Sequence, residues 1–270
     1  MRRITSRNAT DLHDVAGTRR IEAAAAARLA PHALMGRAGA AVARLALALA
    51  PHARCIWIAC GPGNNGGDGL VAATELHRLG ARPIVTLLGS DDRRPPDAAA
   101  ALARAREAGV RFSDAPPAEF DLSIDALLGI GAARPIEGDM ASWLIRMRSA
   151  ASPLLSIDVP SGLDADTGHS LQRALHGEMH RAGPRHCLSL LTLKPGLFTA
   201  DGRDLAGEVW LDSLDTTCDE AAPVARLGVA RPVRGRLHAS HKGSYGDVAV
   251  IGGAPGMAGA AWLAAAAALH

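Results

Sequence analysis

Oxygen-bearing side chains follow three apolar runs of the sequence that are typical of buried strands. They occur in GPGNNGGDG (61–69), at Asp125 in SIDALLGIG, and at Asp158 and Ser161 in SIDVPSGLD. Carboxylate, amide and hydroxyl oxygens are hard ligands that favour a hard cation over zinc, and a positioned carboxylate can also transfer protons. A single aspartate after a strand is equally well explained by a turn or a helix cap. Three such segments in one chain favour a shared polar site.

The first of these segments contains five glycines, which indicates that its backbone adopts positive φ or approaches another group closely. Gly61, Gly63 and Gly66 fit the G-x-G-x-x-G pattern of dinucleotide-binding loops. Asp91 and Asp92 follow the next apolar run, where such folds place a ribose-binding carboxylate. This pattern favours an NAD-dependent oxidoreductase, but the chain contains no Tyr-x-x-x-Lys pair for hydride transfer. It also leaves the polar side chains between the glycines unexplained.

The elements that must position these segments are indicated by alternating apolar and helix-forming runs. Residues 18–53 are rich in strong helix formers and are interrupted by Pro31, which predicts two N-terminal helices. Short apolar runs then alternate with helical stretches, as in βαβ units on a mostly parallel sheet. In such an α/β fold the carboxyl ends of the strands converge on the crevice that binds ligands.

The glycine-rich segment is expected to form a loop, and a helix is predicted after Gly69. Ala72, Leu76 and Leu79 share one face of that helix at i, i+4 and i+7, and Gly80 is placed to end it. A strand, a glycine loop and a helix in this order direct backbone N–H groups at a ligand, an arrangement suited to phosphate.

Composition narrows the class of partner. Lys and Arg total 29 against 27 Asp and Glu, and the charges are scattered, so no nucleic-acid or anionic membrane partner is expected. The four cysteines form no C-x-x-C pair and are predicted to be reduced, as in a cytoplasmic protein. No export signal or membrane span is visible. A small-molecule ligand is the remaining expectation.

The C-terminal part of the chain differs in composition from the rest. Residues 213–240 mix Pro, Gly, Arg and Ala without periodicity, which is typical of a linker. A new predicted strand and helix follow in YGDVAVIGG and GAAWLAAAAAL. We predict a first domain over 1–225 and, over 226–270, a linker with the incomplete start of a second domain.

Five motifs, in order, resemble the NAD(P)H-hydrate epimerases, also called the YjeF N-terminal domain family: LMGRAG, GPGNNGGDG, DALLGIG, SIDVPSGLDADTG and LKPGL. The resemblance implies a three-layer α/β/α Rossmann-like sandwich that interconverts the R and S epimers of hydrated NADH and NADPH, called NADHX and NADPHX. It implies that a potassium ion is held by Asn65, Asp125 and Ser161. It also implies a homodimer through the N-terminal helices.

Asp158 is the expected acid/base of such an epimerase, since loss and return of water at the hydrated carbon needs a proton carrier and no redox cofactor. The alternatives are a non-catalytic nucleotide-binding module and the oxidoreductase considered above. The substrate contacts implied by the resemblance are Asn64, Asn65, Gly66, Gly67, Asp68, Gly129, Ile130, Gly131, Ala132, Ala133, Arg134, Pro135 and Asp158.

Three segments depart from the family pattern. Gly36 replaces an expected acidic residue, and residues 169–187 contain four histidines and three arginines. The irregular spacing of His176, His180 and His186 does not favour a metal site. The segment HKGSYGDVAVIGGAPGMAG resembles the opening of an ADP-dependent NAD(P)HX dehydratase, a ribokinase-like domain fused behind the epimerase in bifunctional bacterial proteins. Because this domain is cut short, no dehydratase activity is expected.

Overall fold

The computed structural model describes residues 1–5, 7, 9–131, 135–171, 183–229, 238–241, 243–244, 246–254, 256 and 258–268. The chain divides into two compact units, Met1–Val229 and Ala230–His270. All site residues discussed below belong to the first unit. The assignment of domains over 1–225 and 226–270 stays a prediction.

A large, mostly parallel sheet forms the centre of the first unit. The described strands are β1 (Arg2–Arg3), β2 (Thr10–Leu12), β3 (Ile56–Cys60), β4 (Pro83–Leu87), β5 (Arg111–Ser113), β6 (Leu122–Ala126), β7 (Leu154–Ile157), β8 (Arg185–Leu190), β9 (Glu208–Asp212) and β10 (Ala225–Leu227). Eight of them form one sheet in the order β1-β9-β8-β7-β6-β3-β4-β5, and β1 is its antiparallel strand. The other two, β2 and β10, pair with each other in antiparallel fashion.

Helices cover both faces of this sheet. The described helices are α1 (Val15–Arg28), α2 (Ala33–Leu49), α3 (Asn64–Arg78), α4 (Pro96–Glu107), α5 (Gly138–Ser149), α6 (Gly202–Ala206) and, in the second unit, α7 (Gly259–Ala268). Side chains of β3 alternate between the two faces: Ile56 and Ile58 pack in the core with α2, α3 and α4, whereas Trp57 packs with α5. The predicted three-layer α/β/α fold is therefore confirmed.

The strand order reverses beside β3, and this reversal creates the crevice. The chain runs from β3 through β4 to β5 toward one edge, and β6 then lies on the opposite side of β3. The helices that follow these two strands, α3 after β3 and α5 after β6, pack on opposite faces of the sheet. Such a switch point is where open α/β sheets bind ligands.

Helix α3 begins earlier than the sequence predicts. It starts at Asn64, within the glycine-rich segment, and not after Gly69. Ala72 and Leu76 are buried as predicted, and Gly80 ends the helix with φ +85, but Leu79 is 62% exposed. Tertiary packing overrides the low helix propensity of glycine here, because the first turn of α3 is enclosed by neighbouring backbone.

Close backbone approach explains the glycines of this segment. A Cβ on Gly61 would lie 1.8 Å from the Leu127 carbonyl oxygen, and one on Gly66 would lie 2.1 Å from the Gly61 oxygen. A Cβ on Gly69 would meet Ala126 at 2.5 Å. These glycines have no positive φ, so close contact with neighbouring chain segments is what excludes larger residues at their positions.

The predicted N-terminal helices are confirmed, whereas the predicted strand of the second unit is not found. Helices α1 and α2 are separated by the Pro31 region, with His32 at φ 65. Among the described residues of 246–254 no strand is present, since a strand requires a partner and the described part of this unit offers none. Helix α7 is present as predicted. Among the described helices, none has the length and apolarity required to cross a bilayer.

Gly61→Ala tests the role of close approach. The new methyl group would collide with the Leu127 carbonyl, and we expect a loss of about 3 kcal/mol or a protein that fails to fold, seen as a Tm lower by about 5 °C or more. Gly63→Ala is the matched control, because a Cβ at Gly63 meets no atom within 4 Å. Equal melting temperatures for the two variants would contradict the packing argument.

Candidate active site

A cavity of about 700 Å³ lies at the switch point of the sheet. Its walls come from α1, the first turn of α3, the segment after β6, and the segments after β7 and β8. The predicted substrate contacts that line it are Asn64, Asn65, Asp68, Gly129, Ile130, Gly131 and Asp158.

The other predicted substrate contacts divide into two groups. Gly66 and Gly67 are buried against neighbouring chain segments and do not line the cavity, and Pro135 is exposed outside it. Ala132, Ala133 and Arg134 lie outside the described residues.

Asp158 forms an ion pair with Lys194, whose side chain is completely buried. Lys194 also donates hydrogen bonds to the backbone oxygens of Leu190 at 2.8 Å and Thr192 at 3.1 Å, and to Ser189 Oγ at 3.3 Å. The Leu190 N–H in turn donates to Asp158 Oδ1 at 3.2 Å. This network ties the segment after β7 to the segment after β8.

The backbone of Asp158 is in the left-handed region, with φ +68. Asp and Asn are the non-glycine residues that adopt this conformation most readily. The conformation, the Lys194 contact and the Leu190 N–H bond together hold the carboxylate at the cavity wall. A carboxylate fixed in this way is positioned for proton transfer to a ligand.

Lys194 is a candidate site residue to which the sequence pattern assigned no role. It lies in LLTLKPGL, directly after an apolar run, and a lysine there is compatible with an exposed loop. The signal is a charged residue enclosed by residues that are otherwise typical of a buried strand end. Only the neighbouring β7 segment reveals its partner.

The three residues predicted to hold potassium lie on adjacent segments. Ser161 donates from Oγ to Asp125 Oδ1 at 2.5 Å, and its N–H donates to Asp125 Oδ2 at 2.9 Å. The Leu127 N–H also donates to Asp125 Oδ1, at 3.2 Å. Asn65 faces this region across Gly129, where an added Cβ would lie 3.4 Å from Asn65 Oδ1.

Asn65 carries an unsatisfied polar atom. Its side-chain nitrogen is buried and has no hydrogen-bond partner in the described part of the structure. Because rotation of the amide exchanges its nitrogen and oxygen, this buried position can equally present an acceptor. The donor set of amide, carboxylate and hydroxyl oxygens therefore fits a hard monovalent cation. The described residues contain no cluster of three His, Cys, Asp or Glu side chains suited to a metal.

Two buried arginines position the segments that form the cavity. Arg94 donates to the Gly61 carbonyl at 2.9 Å and to the Leu88 carbonyl at 2.6 Å. Arg148 donates to the Ser161 carbonyl at 2.7 Å, and burial lowers its pKa to about 10 despite the opposing effect of Asp125. Both guanidinium groups donate to backbone carbonyls, and neither side chain lines the cavity.

Burial and neighbouring carboxyl groups raise the pKa of two cavity residues, Asp68 and Glu22. The pKa of Asp68 lies well above its usual value, first because of burial and then because of Asp158, Glu22 and Asp97. The pKa of Glu22 is raised by burial and by Asp158, while Lys194 and Arg19 oppose the shift. The inner part of the cavity is thus strongly acidic in composition, with Lys194 as its buried counter-charge.

The carboxylates expected for a conventional dinucleotide fold lie elsewhere. Asp91 pairs with Arg106 at 2.9 Å and lies 3.7 Å from Arg94, and neither Asp91 nor Asp92 lines the cavity. His186 lies on β8, 3.6 Å from Glu208, whereas residues 172–182 of the histidine-rich segment lie outside the described residues.

The fold and the cavity define a Rossmann-like α/β/α protein with a ligand site at its switch point. A family model described as YjeF-related protein N-terminus matches residues 31–196. The chain belongs to this family.

Similar proteins are named as NAD(P)H-hydrate repair enzymes or NAD(P)H-hydrate epimerases. The chain is 33% identical over 260 residues to the bifunctional NAD(P)H-hydrate repair enzyme Nnr of Escherichia coli, an alignment that covers 92% of this chain and 49% of that protein. It is 40% identical over 169 residues to the NAD(P)H-hydrate epimerase of Rhodobacter capsulatus, covering 57% and 79%. The chain spans about half the length of the bifunctional relatives.

A solved structure has the same fold. The crystal structure of yeast ynu0, YNL200c, superposes with a TM-score of 0.56 at 23% identity and covers 68% of this chain and 82% of that chain. At this identity the match supports the architecture alone.

The raised pKa of Asp68 predicts a pH-dependent effect of Asp68→Asn. Below the unfolded pKa of about 3.9 the residue is protonated in both states. As the pH rises above this value, Asp68 ionises in the unfolded state before it ionises in the folded state. The wild type is therefore increasingly destabilised up to the raised folded pKa, and above it the destabilisation stays constant. Asn is neutral throughout, so we expect the Tm gain of Asp68→Asn over wild type to be larger at pH 8 than at pH 5. An equal or smaller gain at pH 8 would refute the shift.

Proposed function

We propose that this chain interconverts the R and S epimers of NADHX and NADPHX. The observation that carries the proposal is the Asp158–Lys194 ion pair at the wall of the switch-point cavity. Relatives named NAD(P)H-hydrate epimerase support the same activity. Dehydration of NADHX or NADPHX is not part of this proposal.

The proposed reaction begins with departure of the hydroxyl group from the hydrated carbon. A proton joins the hydroxyl, water leaves, and the ring nitrogen's electron pair forms an iminium double bond. Water then adds to the opposite face and releases one proton. The atoms balance without oxidant or reductant, so an acid/base group that works in both directions is sufficient.

Asp158 and Lys194 together form that acid/base group. The Lys194 ammonium, which donates to the Asp158 carboxylate, passes a proton through this carboxylate to the departing hydroxyl, which leaves a neutral Lys194 amine and an ionised Asp158. When water adds, the proton returns by the same path. The negative charge on Asp158 also favours a cationic iminium intermediate.

The first turn of α3 is the proposed binding element for the nucleotide. Helix α3 begins at Asn64, and its N-cap residue, Gly63, forms no side-chain capping hydrogen bond. The N–H groups of this first turn have no partner within the helix and carry the positive end of the helix dipole. They are available to a phosphate group.

A potassium ion bound by Asn65, Asp125 and Ser161 is proposed as the structural cation. The oxygen donor set and the unsatisfied Asn65 amide support it. When bound, the cation would supply positive charge that offsets the substrate's diphosphate. The three residues would then join the segments after β3, β6 and β7 at one point.

The alternatives receive less support. An NAD-dependent oxidoreductase with a conventional Rossmann site would use Asp91 or Asp92 on the ribose, but neither lines the cavity. A non-catalytic nucleotide-binding module would not require a buried lysine paired with a cavity-facing carboxylate. A cytoplasmic location and a homodimer remain predictions.

Asp158→Asn should lower the rate of epimerisation by about 100-fold to 10,000-fold, because the amide cannot accept the proton. Asn tolerates the left-handed backbone and can still accept a hydrogen bond from Lys194, so we expect a folded protein, with a lower Tm because Lys194 loses its counter-charge. The rate is measured by chromatographic separation of R-NADHX and S-NADHX.

Asp92→Asn is the matched control for that experiment, since Asp92 is exposed and does not line the cavity. We expect it to retain full epimerase activity. A strong loss in Asp92→Asn with normal turnover in Asp158→Asn would favour the conventional Rossmann site and refute the assignment.

Removal of potassium tests the cation site. With ionic strength held constant by choline chloride, the Tm should rise saturably as KCl is added, because the ion binds the folded state alone. Asn65→Ala should abolish the rise, whereas Asn64→Ala, the adjacent amide, should keep it. A wild-type Tm that does not depend on potassium would argue against the site.

A further inference from the structure

We propose that Arg19 of helix α1 binds the diphosphate of the substrate and so determines which end of the cavity receives it. The proposal rests on the proposed function, which supplies a dinucleotide as the ligand. Helix α1 begins at Val15 and therefore lies before the segment matched by the family model, which starts at residue 31.

Helix α1 is anchored firmly to the segments that form the site. The Val15 N–H donates to Asp166 Oδ1 at 2.8 Å, in the motif that also contains Asp158. The hydroxyls of Thr18 and Thr192 share a buried hydrogen bond of 2.7 Å. The backbone of this helix is therefore held in a fixed place relative to the Asp158–Lys194 pair, and Arg19 is an exposed residue on it.

Arg19 projects from α1 toward the segment after β6. Its Nη2 atom lies 3.6 Å from the position that a Cβ on Gly131 would occupy. Among the residues that the structure describes, Arg19 forms no hydrogen bond or ion pair. It is also the only lysine or arginine among the described residues that line the cavity.

The Arg19 guanidinium and the start of α3 lie along the same backbone segment. Gly131 neighbours Arg19, and Gly129, two residues earlier, neighbours Asn65 in the first turn of α3. A diphosphate lying over this segment can contact the guanidinium and the free N–H groups of the helix together.

The carboxyl groups around Asp158 disfavour a diphosphate beside it. Asp68, Glu22 and Asp158 interact unfavourably there, and Lys194 is enclosed and already paired. Phosphate would add to that repulsion, whereas Arg19 offers an unpaired charge. The arrangement directs the hydrated nicotinamide to Asp158 and the diphosphate to Arg19.

The test compares Arg19→Ala with wild type on two substrates: NADHX, and the hydrate of reduced nicotinamide riboside, which has no phosphate. With NADHX we expect kcat/KM to fall about 10-fold or more, mainly through KM. With the riboside hydrate the change should stay below about twofold. Arg20→Ala, which alters the next residue outside the cavity lining, should match wild type on both substrates.

Two results overturn the proposal: an equal loss on both substrates, which indicates a structural role, or no loss on NADHX. If wild type converts neither substrate, the proposed function fails, and Arg19 is then judged by binding of ADP-ribose in calorimetry. A Kd raised about 10-fold or more in Arg19→Ala but not in Arg20→Ala supports the diphosphate site. An unchanged Kd refutes it.

Discussion

The ion pair between Asp158 and Lys194 is the interaction on which the candidate site depends. Lys194 is fully buried, so its charge is stable only because a carboxylate, two backbone carbonyls and a hydroxyl surround it. Removing one partner from such a pair destabilises proteins by about 3–5 kcal/mol. The pair thereby fixes the relation between the segments after β7 and β8, and it holds a carboxylate at the cavity wall.

Close contact between backbones is the second constraint, and it acts on the other side of the crevice. Gly61 contacts the segment after β6 so closely that no Cβ fits between them, and Arg94 donates a hydrogen bond to the Gly61 carbonyl. The first turn of α3 is consequently brought beside Asp125 and Ser161. The same contacts explain why a helix forms through three glycines: neighbouring chain segments occupy the space that side chains would need, and packing compensates for the low helix propensity of glycine.

The charged side chains that line the cavity are carboxyl groups near Asp158 and the guanidinium group of Arg19. Burial and mutual repulsion raise the pKa of Asp68 and Glu22 near Asp158, while the unpaired guanidinium of Arg19 lies by the segment after β6. A ligand with a positively charged reaction intermediate at one end and a diphosphate at the other matches both parts. An ordinary nucleotide-binding crevice requires only the phosphate-binding part.

The sequence by itself determined the layered α/β fold, because apolar runs and helix formers alternate with periods that a parallel sheet and its helices require. It also determined Asp125, Asp158 and Ser161 as candidates, since polar residues that follow buried strands must meet at one edge of the sheet. The start of α3, the partner of Lys194 and the place of Arg19 were decided only by tertiary structure. Each depends on contacts between residues far apart in the chain, such as Gly61 with Leu127. Such contacts cannot be inferred from local propensity and residue spacing.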